Sequence, residues 1–175
     1  MKKRSKAGAV LLLTLGGIVG SILPASAHVE FSTEQAMPGS HPGLEILVPH
    51  DCSGSKTTQI QIKLPSNVDK SMIMPIGVMQ NNRIPKGWSL NYVAKTGLLV
   101  AKGPGVTTSE TKPLKIDFMI TVPKVKVGSV IKFPTLQICG SKKVSWVQPR
   151  PTDGSDPAED AFPVPQVEIV SKLGK

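Results

Sequence analysis

The sequence predicts an all-β protein, an antiparallel β-sandwich behind a secretory leader, and three observations carry that reading. Two stretches, 59–64 and, apart from Met119, 114–122, alternate between apolar and polar residues, the period of a strand with one face on a core and the other in water. Fifteen of the 16 prolines follow residue 27 and cut the chain into short segments. No segment after residue 27 sustains an apolar stripe of helical period for three turns, which argues against a helical domain.

The leader comes first. Lys2, Lys3, Arg4 and Lys6 precede a mostly apolar run over 7–23, and Ala25 and Ala27 hold the small-residue positions of a signal-peptidase site, so cleavage is expected after Ala27. An uncleaved anchor is the weaker reading, because Gly16, Gly17, Gly20 and Pro24 interrupt the run. No cysteine follows the site to carry a lipid. Removing 27 of 175 residues leaves 148, expected to form one domain over 28–175. The leader holds four of the 21 basic residues and none of the 12 acidic ones, so the net charge falls from +9 to +5. With the remaining lysines scattered and a single Tyr for base stacking, nucleic-acid binding is disfavoured. After the leader no apolar run approaches the ~20 residues of a membrane span, so the expected product is soluble and periplasmic or secreted.

The strands follow in order. In 59–64, Ile60, Ile62 and Leu64 share one face and Gln59, Gln61 and Lys63 the other. In 114–122, Leu114, Ile116, Phe118, Ile120 and Val122 are expected inside and Lys115, Asp117 and Thr121 outside. Shorter candidates are 44–48, 88–93, 98–101, 129–133, 136–139, 144–147 and 167–170. Eight or nine short strands between Pro and Gly turns fit a sandwich, and the segment 149–165, rich in Pro, Asp and Gly, reads as a loop that returns the last strand.

The chemistry centres on His28, the first residue after the expected cleavage. There it carries an α-amine, of ordinary pKa ~7.7 to 8, beside an imidazole of ~6.5, and a divalent metal can displace the remaining protons near neutral pH. Chelation through the amine and Nδ1 closes a six-membered ring, a nitrogen pair suited to the tetragonal preference of Cu(II). Cys52 and Cys139, an even pair in an exported chain, read as a disulfide rather than a Cu(I) thiolate pair. His50 and Asp51 close a strand just before Cys52, at a rim where sites tend to lie, and the disulfide would draw that rim towards the segment that leads to Trp146.

The leader followed by His28-Val29, the run from Val48-Pro49-His50-Asp51-Cys52 to Thr58, the Pro85-Lys86-Gly87-Trp88 turn and the segment 139–146 resemble YcnI-type copper-binding proteins, over most of the chain after residue 27. The resemblance implies a cupredoxin-like sandwich, an architecture of the same two-sheet kind as the immunoglobulin-like fold. It further implies one Cu(II) in a monohistidine brace: the amine and imidazole of His28, the carboxylate of Asp51, and Trp146 beside the metal. Where the family pattern has Glu, this chain has the shorter Asp51 preceded by His50, which makes His50 the alternative fourth site residue. Indole Nε1–H is a donor and not a σ-ligand, so the expected role of Trp146 is to cover an axial face.

Other residues read more plainly. Met72, Met74 and Met79 suit Cu(I) as thioethers but more often fill core gaps. His41 sits in a turn, Trp88 is expected to be structural, and Asp153, Asp156, Glu159 and Asp160 lack the spacing of a calcium loop. No Gly-x-Ser-x-Gly elbow supports acyl transfer. The expectation is therefore a non-enzymatic exported copper-binding protein for storage, delivery or resistance, its partners the copper ion and an exported copper chaperone or transporter. The alternatives are a two-histidine copper oxygenase, His28 with His50 or His41, which the poverty in aromatic residues disfavours, and a metal-free interaction module.

Overall fold

The computed structural model describes residues 28–75, 84–153, 155–158 and 160–174, with 69–75 described by their backbone alone. The expected leader, Met79 and Glu159 lie outside the described residues, as do the side chains of Met72 and Met74. Twelve strands are named: β1 (Glu30–Phe31), β2 (Gln35–Ala36), β3 (Gly43–Val48), β4 (Thr57–Lys63), β5 (Asp69–Pro75), β6 (Ser89–Val93), β7 (Leu98–Val106), β8 (Leu114–Thr121), β9 (Val130–Lys132), β10 (Thr135–Cys139), β11 (Lys142–Trp146) and β12 (Gln166–Ile169). Among the described residues there is no α-helix, and hence none long and apolar enough to cross a membrane.

The strands form the expected antiparallel β-sandwich. One sheet runs β1-β3-β8-β5, the other β11-β10-β4-β7-β6, and a small third sheet runs β2-β12-β9. Every pair is antiparallel except β2 with β12. The alternating residues meet between the sheets: Ile60 and Ile62 of β4 and Ile116 and Phe118 of β8 are fully buried. Phe31 joins the short β1 to this core, edge-on to Phe118 at 6.1 Å and to Phe133 at 4.9 Å, arrangements that aromatic quadrupoles favour.

All nine expected strands are present. β1 and β2 have two residues each, too few for alternation to register, and β5 (Asp-Lys-Ser-Met-Ile-Met-Pro) has no period-2 pattern. One facing is corrected. Asp117, expected in water, is 1 % exposed, because Glu45 stands directly opposite it on β3 and Pro85, Val106 and Pro113 crowd beside it along an open hollow of about 360 Å³.

Candidate metal centre

His28 is placed by its neighbours. Val29 is fully buried and Phe31 nearly so, which leaves the chain ahead of β1 little freedom. In the antiparallel β1–β3 pair Glu30 stands opposite Leu47 and Phe31 opposite Ile46; continuing that register sets His28 across from Pro49, beside His50 and Asp51. The register thus sets His28 at the same end of β3 as Asp51, while the bonded partners of the two side chains are separate, Ala158 for His28 and Gly54 for Asp51. His41 lies two residues before β3, at the other end of a strand roughly 20 Å long, its Nδ1 3.0 Å from the hydroxyl of Thr121.

The ring of His28 is held by the Pro-rich loop, its Nε2 3.0 Å from the carbonyl oxygen of Ala158. A carbonyl can only accept, so Nε2 is the donor; in the neutral ring this leaves the lone pair on Nδ1, the nitrogen an amino-terminal chelate requires. A backbone carbonyl on the other ring nitrogen is also how metal-bound histidines are commonly oriented.

Asp51 is oriented by the turn that follows it: its Oδ1 accepts the backbone N–H of Gly54, three residues on, at 2.9 Å. The turn is tight: Ser53 and Gly54 both have positive φ, 51° and 80°, and Cys52 and Ser55 exchange backbone hydrogen bonds. Lys142 Nζ caps its carbonyls, 3.3 Å from Cys52 O and 3.0 Å from Ser53 O. The Cys52–Cys139 disulfide closes over this turn, Cα to Cα 5.9 Å, as the sequence leads one to expect. His50 turns outward towards Glu110, Nε2 to Oε1 3.8 Å, with both side chains about two-fifths exposed, a surface pair of ~1 kcal/mol at most.

Trp146 is 4 % exposed. Its ring stands edge-on to Phe162 at 5.3 Å, and its Nε1–H donates to Gln137 Oε1 at 3.2 Å. Phe162 belongs to the same turn of the Pro-rich loop as Ala158, since Ala161 N–H bonds Ala158 O. Two bonds to Gln148 clasp that turn, Phe162 N to Gln148 Oε1 at 2.7 Å and Gln148 N to Phe162 O at 2.9 Å. The loop therefore touches both His28 and Trp146.

Among the described residues no three His, Cys, Asp or Glu side chains gather as a metal cage. A brace needs none, because one residue would supply two of its nitrogens once the peptide bond at Ala27 is cut. Sequence reasoning missed Gln137, which ties Trp146 to this rim. The available signal was parity: a disulfide-bonded Cys139 must face inward, and Gln137, two residues earlier on a strand, faces with it.

Residues 28–96 match the model of a domain of unknown function, DUF1775. The match begins at His28 and contains His50, Asp51 and Cys52. Among solved structures, an uncharacterized protein from Nocardia farcinica, whose crystal structure reveals an immunoglobulin-like fold, is similar with a TM-score of 0.63 at 21 % identity, covering 83 % of this chain and all of that one. At that identity the likeness shows the fold. Lower-scoring similarities are to a cohesin–dockerin complex from Clostridium thermocellum (TM-score 0.41, 16 % identity, 82 % of this chain and 98 % of that one) and to CaCohA2 from Clostridium acetobutylicum (0.42, 9 %, 83 % and 93 %). No curated protein matches the chain.

Proposed function

We propose that the chain is an exported, non-enzymatic protein that binds one Cu(II) at the terminus created when residues 1–27 are removed, for copper storage, delivery or resistance. The observation that carries this reading is the bond from His28 Nε2 to Ala158 O, which puts the imidazole lone pair on Nδ1, where it and the new α-amine form one chelate. Asp51, one residue from His50 on the facing rim, supplies the carboxylate, its Oδ1 turned by Gly54. Trp146 and Phe162 form the apolar wall on the loop side, which limits water and favours holding a metal over turning it over. Bound copper would contribute its charge and ligand exchange; the protein contributes the donor set and its orientation. Its partners in this reading are an exported copper chaperone or a transporter, outside the cytoplasm.

The test compares two purified forms, one starting at His28 and one with a single Met before it, titrated with Cu(II) and followed by electron paramagnetic resonance. The expected result is one Cu(II) with nitrogen and oxygen couplings for the first form and loss of that site in the second. Equal spectra and affinities for both would overturn the amino-terminal site. His50→Ala should leave the signal of the first form intact; its loss would move the site to a pair of histidines.

A further inference from the structure

β10 is patterned against expectation. Thr135, Gln137 and Cys139 point into the protein while Leu136 and Ile138 are only half-buried, so a strand with two large aliphatic residues gives two of its three core-facing positions to polar side chains, Thr135 and Gln137. Gln137 is 1 % exposed, and an amide there is tolerable only if bonded, because an unsatisfied buried donor or acceptor costs ~1 to 3 kcal/mol. Its Oε1 accepts from Trp146 Nε1, and its Nε2 donates to the main-chain carbonyl of His50 at 2.6 Å and to Thr57 Oγ1 at 2.8 Å. The amide orientation is unambiguous, since indole N–H only donates and the His50 carbonyl only accepts. Thr57 extends the chain to the disulfide, its hydroxyl 3.6 Å from Cys139 Sγ.

We infer that Gln137 is the positioning residue of the candidate metal centre: its buried amide couples the indole of Trp146 to the backbone at His50 and so fixes the turn that presents Asp51. The inference rests on the copper reading for its consequence, though not for its mechanics. Three of the four hydrogen bonds that an amide can make are formed, and they join the wall of the site, the main chain next to its carboxylate and the strand under its disulfide. A leucine would fill the same space without a polar debt, but it would leave the His50 carbonyl and the Trp146 N–H without partners. Groups one step removed from a metal commonly change its affinity about 10- to 100-fold when replaced.

The experiment uses the form starting at His28, with Gln137→Met, which keeps the length and removes the donors, and Trp146→Phe, which removes a single bond and leaves a folded protein should the first variant fail to fold. Amide hydrogen exchange is read on copper-free protein at Cys52, Gly54 and Ser55, with Leu99 and Ala101 of the β6–β7 edge as internal control. The expected result is exchange about tenfold faster at the three turn amides, the controls staying within about twofold, and Cu(II) affinity about tenfold weaker by competition titration. Unchanged turn amides, or acceleration equal to that of the controls, would overturn the positioning role and make Gln137 a general core residue. Faster turn exchange with undiminished copper affinity would overturn its connection to the site. Should the unsubstituted form take up no Cu(II), the copper reading falls, and the exchange data still decide whether Gln137 holds the turn.

Discussion

The two edges of the five-stranded sheet each carry one tryptophan, and the two are held by different physics. Just ahead of β6 the half-buried Trp88 is set by shape. Continuing the β6–β7 register puts it opposite Gly103, where an ideal Cβ would lie 2.4 Å from the indole Cγ, so the ring occupies the place of the missing side chain. The turn before it is local, with Trp88 N–H bonded to Pro85 O at 2.9 Å and Gly87 at φ +81°, the position that a type II turn reserves for glycine. On β11, Trp146 is set by hydrogen bonds and by distant chain: Gln137 of the next strand, Phe162 of the Pro-rich loop, and through Gln137 the backbone of His50. A ring that fills space can be held by a glycine, whereas the indole of Trp146 is held in one orientation by a buried amide that also bonds the main chain at His50.

The largest effect should fall on the β11 edge. Replacing Cys52 and Cys139 together by Ser opens a loop spanned by a sequence separation of 87, and the chain-entropy model puts the loss at ~4 to 5 kcal/mol. Urea denaturation measures it. A loss under about 1 kcal/mol would mean that the bonds of Gln137 and Thr57 hold the rim unaided, against the ~1 kcal/mol typical of each such bond. Next comes Gly103→Ala at the β6 edge. Its methyl group must displace the Trp88 ring, and overpacking of that kind costs about 1 to 3 kcal/mol. Adding Trp88→Ala should recover most of it in a double-mutant cycle. An additive pair would show that Trp88 does not rest on Gly103, and the contrast between the edges would fail.

The same contrast explains what was legible in the sequence. Strands whose inward residues are apolar and outward residues polar, such as β4 and β8, are read directly from their period. The turn carrying Trp88 is legible too, since Pro, Gly and Trp sit within four residues. The β11 edge hides its logic because the bonds join residues 80 to 130 positions apart: Gln137 with Thr57, Gln137 with His50, His28 with Ala158. Alternation also misleads there, as Leu136 and Ile138 suggest the wrong inner face for β10. Asp117 fails for the complementary reason: its own strand predicts water, while Glu45 opposite and the prolines that line the same open hollow crowd its side chain. His28, Asp51, Cys52, Cys139 and Trp146 are visible as residues, whereas the links that run from Trp146 through Gln137 to the backbone of His50, and from His28 to the Pro-rich loop, are long-range and carry no local signal.

The smallest effect concerns the Pro-rich loop that covers Trp146, and it separates what fastens this loop from what merely shapes it. Asp153 accepts the hydroxyl of Ser155 at 2.6 Å and its backbone N–H at 3.0 Å, and these bonds, the hydroxyl first, hold its carboxyl below the usual aspartate value. A carboxyl lowered by folding contributes above its ordinary pKa, and the contribution is lost as pH falls through the lowered one. The turn should therefore be unchanged from pH 8 to about 5 and open only in acid below the ordinary carboxylate range of ~3.9. An NMR titration of the Asp153 carboxyl checks this; a midpoint at or above the ordinary value would mean that the Ser155 bonds do not form in solution. Because Asp153 and Ser155 are exposed and the bonds described for them are to each other, Asp153→Asn should leave the denaturation midpoint and the Trp146 emission at neutral pH where they are. The fastening lies instead at Gln148, which bonds Phe162 twice, and at His28, which bonds Ala158. If Asp153→Asn did shift the Trp146 emission, the loop would be a single rigid strap rather than a clasp at one end, and the cover over the β11 edge would be sensitive to acid along its whole length.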